Sequence, residues 1–390
     1  MPLSVLHVSF SQSGGAGGVA EILTEARSAA GLPTTHRFSI EKNLRAAPWS
    51  APRHTVAAVI DDAIIRQPSF HGPISLARDG LSVDLSDELN AWDALHIHNV
   101  NGVLTLAGLA DRFPTKRVIW TLHDMNPMTG ACHYSLGCAG YLSDCSSCPA
   151  VRGPFQRRVS TSLSQKAMAL TKLTDLAVVA PSQWLADRAS ESSAMRALPI
   201  HVIPNPIRPV FCESPTISAD GSKFTFCVVA QNLSDPVKNV GLAVEVFREL
   251  KKIYPHISLA LVGKNGDAFM GEGVTGLGSL AAEEIAQTLS QSSGLIVPSL
   301  AENSPLVIAE AAARGTASIV NSVGGMPDMV TALGAGSVFS NDAELHESMA
   351  LVAENDHPVS PASRQGLSDR ARKLFSPASV SQQYDDLYSM

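Results

Sequence analysis

The sequence predicts an α/β protein built from two parallel-sheet domains facing each other across a cleft. Three observations carry that expectation. Apolar runs of five to eight residues alternate with helical patterns along almost the whole chain, the alternation occurs twice, and a proline-dense segment separates the two runs. The length, 390 residues, suits two domains at roughly 100–200 residues each.

In the first half the apolar runs at 4–10, 94–100, 117–123, 176–182 and 201–203 are predicted strands, with a weaker candidate at 35–40. Helical patterns at 19–30, 103–112, 155–171 and 183–192 lie between them, as βαβ units of a parallel sheet require. The repeated Pro204-Asn205-Pro206 and Pro209, followed by the polar stretch 214–222, can continue neither a helix nor a central strand. The chain is therefore divided into a first domain at 1–205, with an insert at 125–153, a linker at 206–222 and a second domain at 223–374. In that second half the strands are placed at 224–230, 258–263, 294–299 and 318–321, and the helices at 239–253, 281–290, 305–314 and 343–354.

Composition removes several classes of function. With 29 Lys+Arg against 36 Asp+Glu the net charge is −7, which argues against a surface that coats nucleic acid. No apolar run reaches the ~18 residues of a membrane span, and residues 1–10 read as a strand without a basic leader, so the expected compartment is the cytoplasm. Six cysteines are too few for a disulfide scaffold in a chain this long.

Three turns could carry chemistry. The strongest follows the strand at 294–299, where Glu302, Asn303, Ser304 and Pro305 open the next helix. Ser304 is a candidate N-cap with Pro305 at the first helical position, and the amides of Ser304, Pro305's successor Leu306 and Val307 would attract an anion such as a diphosphate. Glu302 and Glu310 cannot bind phosphate themselves but can accept hydrogen bonds from hydroxyls of a sugar and a ribose. The bland alternative is a capped helix with one solvated and one structural glutamate. The second turn, with Gly14, Gly15, Gly17 and Gly18, would let backbone amides approach a phosphate, or would simply be a tight turn. Its spacing is not the G-x-G-x-x-G of dinucleotide binders, so a nicotinamide enzyme is a weak alternative. The third is Gln231 to Asn239. Lys238, near a helix start, gains nothing from the macrodipole, so an anionic ligand explains it better than helix stability does, although a solvated lysine is the commoner fate.

At these residues the sequence resembles glycosyltransferase family 4. The carriers are the E-x7-E pair Glu302/Glu310, Asn205 after Ile203-Pro204, Lys238 before a helix, and Gly324-Gly325-Met326-Pro327-Asp328. His96-Ile97-His98-Asn99, the run from Trp120 to Pro127, and Cys132-His133-Tyr134-Ser135 resemble a bacterial subgroup that assembles colanic-acid-like exopolysaccharide and lipopolysaccharide. The resemblance runs across nearly the whole chain. It implies a GT-B fold of two Rossmann-like domains, with a C-terminal helix at 375–390 returning to the first, and a retaining hexosyl transfer from a nucleotide sugar to a growing polysaccharide or lipid-linked glycan.

It also implies roles. Glu310 would hold the donor ribose and Glu302 the transferred sugar; Lys238, Gln231, Asn303, the amides around Ser304–Val307 and the turn with Gly14 to Gly18 would serve the donor diphosphate. His123 would face the reacting sugar, with His98 and Asp124 on the acceptor side. No cofactor is required, and no D-x-D pair is placed like a metal–diphosphate bridge. The chain departs from the family where many relatives carry an arginine a few residues before the lysine: here the residues are Gln231-Asn232. That departure motivates a catalytically silent binding or scaffold protein as an alternative, beside a GT-B epimerase or phosphorylase. Stereochemistry stays open from the residues alone, because Asp124 could serve an inverting enzyme as base. The basic stretch 152–158 could touch the inner membrane face, or be merely solvated.

Cys132, Cys138, Cys145 and Cys148 form C-x5-C-x6-C-x2-C. Four thiolates could complete a structural zinc site. Disulfides, a redox pair or free thiols are the alternatives.

Overall fold

The computed structural model describes residues 3–12, 14–38, 63–76, 86–99, 105–213, 224–354 and 361–390. They form two compact units, Met1–Pro204 with Val380–Met390, and Asn205–Ser379.

In the first unit the described strands are β1 (Val5–Ser9), β2 (Thr34–Phe38), β3 (Ala94–Ile97), β4 (Arg117–Thr121), β5 (Leu176–Ala180) and β6 (Ile200–Val202). The helices are α1 (Gly14–Ala29), α2 (Ser86–Ala91), α3 (Leu106–Arg112), α4 (Gln156–Lys172) and α5 (Gln183–Glu191). The sheet order is β2-β1-β3-β4-β5-β6, parallel throughout. β1, β3 and β5 are buried along their whole lengths, which explains why they read as unbroken apolar runs rather than as alternation. The register sets His7 between His36 on β2 and His96 on β3, and the two-residue period puts His98 on the side of His96.

The C-terminal residues complete this unit's core. Tyr384 and Tyr388 are 1% and 2% exposed, Arg117 donates to the Leu387 carbonyl at 2.6 Å, and Arg27 pairs with Asp385 while its guanidinium stands 4.9 Å over the Tyr388 ring.

The second unit holds α6 (Pro209–Cys212), β7 (Phe224–Asn232), α7 (Val240–Ile253), β8 (Leu259–Lys264), β9 (Val274–Gly278), α8 (Ala282–Ser290), β10 (Ser292–Val297) and α9 (Leu306–Ala313). It continues with β11 (Ala317–Asn321), α10 (Met326–Leu333), β12 (Ser337–Phe339), α11 (Asp342–Glu354), α12 (Pro361–Phe375) and α13 (Pro377–Tyr388), whose last residues belong to the first unit. Strands β9 and β12 and helices α6, α10 and α12 are additions to the sequence-based list, α6 falling within the stretch read as linker. β9 carries three small or polar residues in five and β12 is three residues long, too little apolar run to announce a strand.

The sheet order is β12-β11-β10-β7-β8-β9, the 3-2-1-4-5-6 order of a doubly wound sheet. Alternation along β10 divides the core. Leu295 and Val297 join Ile308, Ala309 and Ala312 of α9 on one face, and Ile296 joins Phe247 and Leu250 of α7 on the other. Helix α7 buries Val240, Ala243, Val244, Phe247 and Leu250, a stripe at helical spacing. Fully buried Phe247 alone contributes about 1.5–3 kcal/mol.

Candidate functional site

In a doubly wound sheet the ligand crevice lies beyond the carboxyl ends of the strands where their order reverses. In the second unit that point is between β7 and β10, and the turns following those two strands meet there: Leu300 N–H donates to the Val237 carbonyl at 2.7 Å. The Lys238 ammonium donates to Glu302 Oε1 at 2.6 Å. Two predicted site residues, far apart in sequence, thus form one ion pair whose side chains are 27% and 11% exposed.

Local chemistry sets both ends of the pair. Asp235 Oδ1 accepts the Val237 N–H at 2.9 Å and starts a single 3-10 turn that ends at Lys238. Asn239, in the left-handed region at φ 50°, then redirects the chain into α7; asparagine tolerates that conformation better than most residues. On the other side the Glu302 carbonyl accepts the Gly325 N–H at 3.2 Å. Gly324 sits at φ 61°, and a Cβ on it would stand 1.6 Å from the Glu302 carbonyl oxygen. The glycine pair of the family-like motif therefore acts as a backstop for Glu302: only a residue without Cβ permits that backbone approach.

Helix α9 begins at Leu306, one residue later than expected, and Ser304 is not its cap. Pro305 occupies the cap position without a side-chain hydrogen bond, while the Ser304 hydroxyl points to Met329 Sδ at 3.7 Å. Proline has no side-chain oxygen to offer the first-turn amides, and that leaves the positive helix end without an internal anion. Leu306 and Val307 are half-buried and Asn303 is buried. Two turns along, burial pushes the Glu310 carboxyl up to about 7, with Arg208 opposing. At the end of β7, Gln231 is exposed, and Asn232 Oδ1 is engaged by Ser234 N–H at 3.1 Å and Asn265 Nδ2 at 2.9 Å.

The glycines of the first unit correct the expectation of a loop. Gly14, Gly15, Gly17 and Gly18 form the start of α1, which begins five residues before the expected helix. Gly17 is there for packing: a Cβ would lie 1.8 Å from the Ser11 carbonyl oxygen. At Gly15 and Gly18 a Cβ would meet nothing within 4 Å.

At the carboxyl ends of β1, β3 and β4 lies a histidine network that the sequence showed only in part. His98 is 2% exposed and bridges His7 Nδ1 and His123 Nε2, each at 3.1 Å. His96 spends both nitrogens on hydroxyls, Tyr388 at 2.6 Å and Thr121 at 2.8 Å, and Thr121 in turn meets Tyr384 at 2.8 Å. His98 is thus a buried partner of His123, which lies just beyond the carboxyl end of β4. Burial drives the pKa values of His7, His96 and His98 well below the ordinary imidazole value and those of His36 and His123 to about 4, so these rings are neutral at pH 7. The donor atoms of His7, His96 and His98 lie within 4.8 Å of one another. Their nitrogens are committed to each other, to His123 and to hydroxyls, save His7 Nε2, which suits a neutral relay better than a cation.

Asp124 is held elsewhere. Its carboxylate accepts His133 Nδ1 at 2.7 Å and the Asn126 N–H at 2.7 Å, and His133 Nε2 meets Ser75 Oγ at 3.0 Å. Burial raises the Asp124 pKa, but the His133 and Asn126 contacts outweigh it and the net shift is downward, which makes Asp124 a poor general base. Sequence reading missed His133 as the partner of Asp124, Ser75 as the partner of His133, and His7 as a partner of His98. For His133 the available signal was the motif Cys132-His133-Tyr134-Ser135.

The four clustered cysteines are unbonded thiols lining one small, partly open space. Burial raises the thiol of Cys132 to about 12 and those of Cys145 and Cys148 in the same direction. Cys227 is buried in β7, as a small apolar residue would be. Among the described residues no helix is long and apolar enough to cross a membrane.

Comparison with known proteins agrees with this geometry. Residues 223–355, most of the second unit, match the family model described as glycosyl transferases group 1. Over 284 residues, 70% of this chain and 69% of its relative, the sequence is 23% identical to an Escherichia coli (strain K12) protein named "Putative colanic acid biosynthesis glycosyl transferase WcaC". Among solved structures, sucrose-phosphate synthase from Thermosynechococcus elongatus superposes with a TM-score of 0.65 at 17% identity, covering 99% of this chain and 98% of that one. Anabaena HepE in complex with UDP-glucose gives 0.60 at 16% identity, covering 100% of both chains. These likenesses establish the GT-B fold.

Proposed function

We propose that the chain is a nucleotide-sugar-dependent glycosyltransferase that moves a hexose to a growing polysaccharide or lipid-linked glycan with retention of anomeric configuration. The observation that carries the reading is the Lys238–Glu302 pair at the switch point, beside a helix end that lacks a side-chain cap. The donor diphosphate takes the place of the missing anion at the first turn of α9, and Lys238 neutralises the charge that builds on the leaving phosphate. Glu302 accepts hydrogen bonds from the transferred sugar, and Glu310 from the ribose. Gly15, exposed and open above its Cα atom, suits close approach of a phosphate. In the retaining reaction the bond from the anomeric carbon to the phosphate oxygen breaks, the acceptor oxygen bonds to that carbon on the same face, and its proton passes to the departing phosphate. Neutral His123 offers the reacting sugar a hydrogen bond without adding charge. The relative named for colanic acid biosynthesis and the UDP-glucose bound by HepE support the donor and acceptor classes. A cytoplasmic enzyme working at the inner membrane face fits such an acceptor, and Arg152, Arg157 and Arg158 are exposed.

A silent binding protein is the second reading. It draws on the same turn, where Lys238 is the one cation between Gln231 and Asn239. Thermal-shift screening against UDP, GDP, ADP, CMP and their sugars, in wild type and Glu310→Ala, tests the donor site. A selective rise lost in the variant supports it by mass action, and hydrolysis of that donor separates the enzyme from a silent binder. No rise at millimolar ligand sinks the proposal.

A further inference from the structure

We infer that Cys132, Cys138, Cys145 and Cys148 bind one structural Zn²⁺ as a tetrathiolate. The site joins the two halves of the insert in the first unit. All four thiols line a single, partly open cavity of about 20 Å³, room for one water-sized or smaller occupant. No disulfide links them. Among the described residues the donor atoms already within 4.8 Å of one another are imidazoles, those of His7, His96 and His98. The thiols enclose a wider space, so binding draws the sulfurs inward to roughly 2.3 Å from the metal.

Two features of the surroundings point to anionic sulfur rather than to inert buried thiols. The first is the backbone wrapped around the sulfurs. Gly140 N–H donates to Cys138 Sγ at 3.4 Å, and the Thr129 hydroxyl holds the Cys132 carbonyl at 2.6 Å. An amide two residues beyond a cysteine can reach its sulfur only where the chain wraps around it, and such outer contacts orient and stabilise metal ligands. The wrapping requires left-handed backbone at Leu136 (φ 46°), Gly137 (φ 86°) and Cys145 (φ 56°). For leucine and cysteine that conformation is costly, and it persists only where the surroundings demand it.

The second is Lys166. Its ammonium is buried, 6% exposed, and donates to the Asn126 carbonyl at 2.7 Å, Asn126 Oδ1 at 3.2 Å and the Thr129 carbonyl at 3.0 Å. Among the described residues no carboxylate bonds it directly. A buried cation needs an opposing charge nearby, and the groups whose charge favours its protonated form are Asp124, Cys132 and Cys145. A zinc tetrathiolate carries two negative charges and supplies that countercharge. Four sulfur ligands with no imidazole or carboxylate select zinc among abundant divalent ions, and a closed four-coordinate set marks a structural role. The consequence reaches beyond the insert: His133, next to Cys132, holds Asp124, so the metal fixes the segment that follows His123.

Elemental analysis of the purified full chain tests this. We expect about one zinc per chain, the stoichiometry of a single closed site. It should survive dialysis, be lost in Cys138→Ser and Cys148→Ser, and remain in Cys212→Ser. If the serine variants fail to fold, wild type still decides. A mercurial titration should release the zinc in step with four thiols, and protein grown on cobalt should show the ligand-field bands of a tetrahedral cobalt tetrathiolate. Metal at no meaningful stoichiometry, metal retained by the serine variants, a cobalt spectrum without thiolate character, or an intact mass lighter by two hydrogens per disulfide would each overturn the inference.

Discussion

Replacing Glu310 by glutamine should remove a pH dependence that the wild type carries. Burial lifts the carboxyl from 4.5 to about 7 in the folded chain, so between those values the folded state keeps a proton that the unfolded state has released. Stability from this group is fully present below about pH 4.5 and is lost as pH rises through 7, because the unfolded state then binds fewer protons. At 1.36 kcal/mol per pKa unit, the shift amounts to about 3 kcal/mol at pH 8, an upper figure for a side chain at a crevice. Glutamine has the carboxyl's shape and no charge to desolvate. Urea unfolding of both proteins from pH 5 to 9 should therefore show Glu310→Gln gaining on wild type by up to that amount across the window, while donor binding weakens in the variant. A ribose donating its hydroxyls to Glu310 favours the ionised form, so nucleotide binding near pH 7 should release protons. Calorimetry in buffers of different ionisation enthalpy would register the release. Parallel pH–stability curves for the two proteins would refute the placement of Glu310 in a desolvated crevice.

The histidine network should act with the opposite sign. Its imidazoles are depressed in the folded state, so their stabilisation is present above about pH 6.5 and lost as pH falls. Each adds a slope of up to about 1.4 kcal/mol per pH unit, measurable by denaturation of wild type against His98→Asn between pH 7 and 5. Lys238→Met leaves Glu302 unpaired and, in the proposed reaction, removes the charge that faces the leaving phosphate. The expected loss in kcat is about 10²–10³-fold, with far-UV circular dichroism unchanged; an equal kcat would assign the pair a purely structural role. Gly324→Ala combines a left-handed φ with contact against the Glu302 carbonyl. It should cost more than about 1 kcal/mol in thermal unfolding and weaken donor binding, whereas Gly15→Ala, where a Cβ meets nothing within 4 Å, should leave stability nearly unchanged.

Much of the site was legible because its pieces are local. The turn from Glu302 to Glu310 follows a strand and opens a helix, and each of those signals lies within a dozen residues. Where reading failed, a contact invisible in one dimension decided the outcome. Pro305 took the cap expected of Ser304, since Ser304 turns toward Met329 on α10. Gly17 looked like a phosphate glycine and proved to be where Ser11 crosses α1. His98 looked like an acceptor contact and proved to be a buried partner of His123.

Sequence alone determined the type and succession of the longer apolar elements, because strand and helix are written in short-range periodicity and in proline and glycine punctuation. It also singled out residues whose chemistry suits the proposed sugar-nucleotide reaction. Tertiary structure decided the rest. The order β12-β11-β10-β7-β8-β9 creates the reversal that brings Lys238 to Glu302, and the register of β2, β1 and β3 lines up His36, His7 and His96. Folding of the insert closes four thiols around one cavity. Strand order and register arise from which faces can be buried together, a property of the packed sheet and of no single segment.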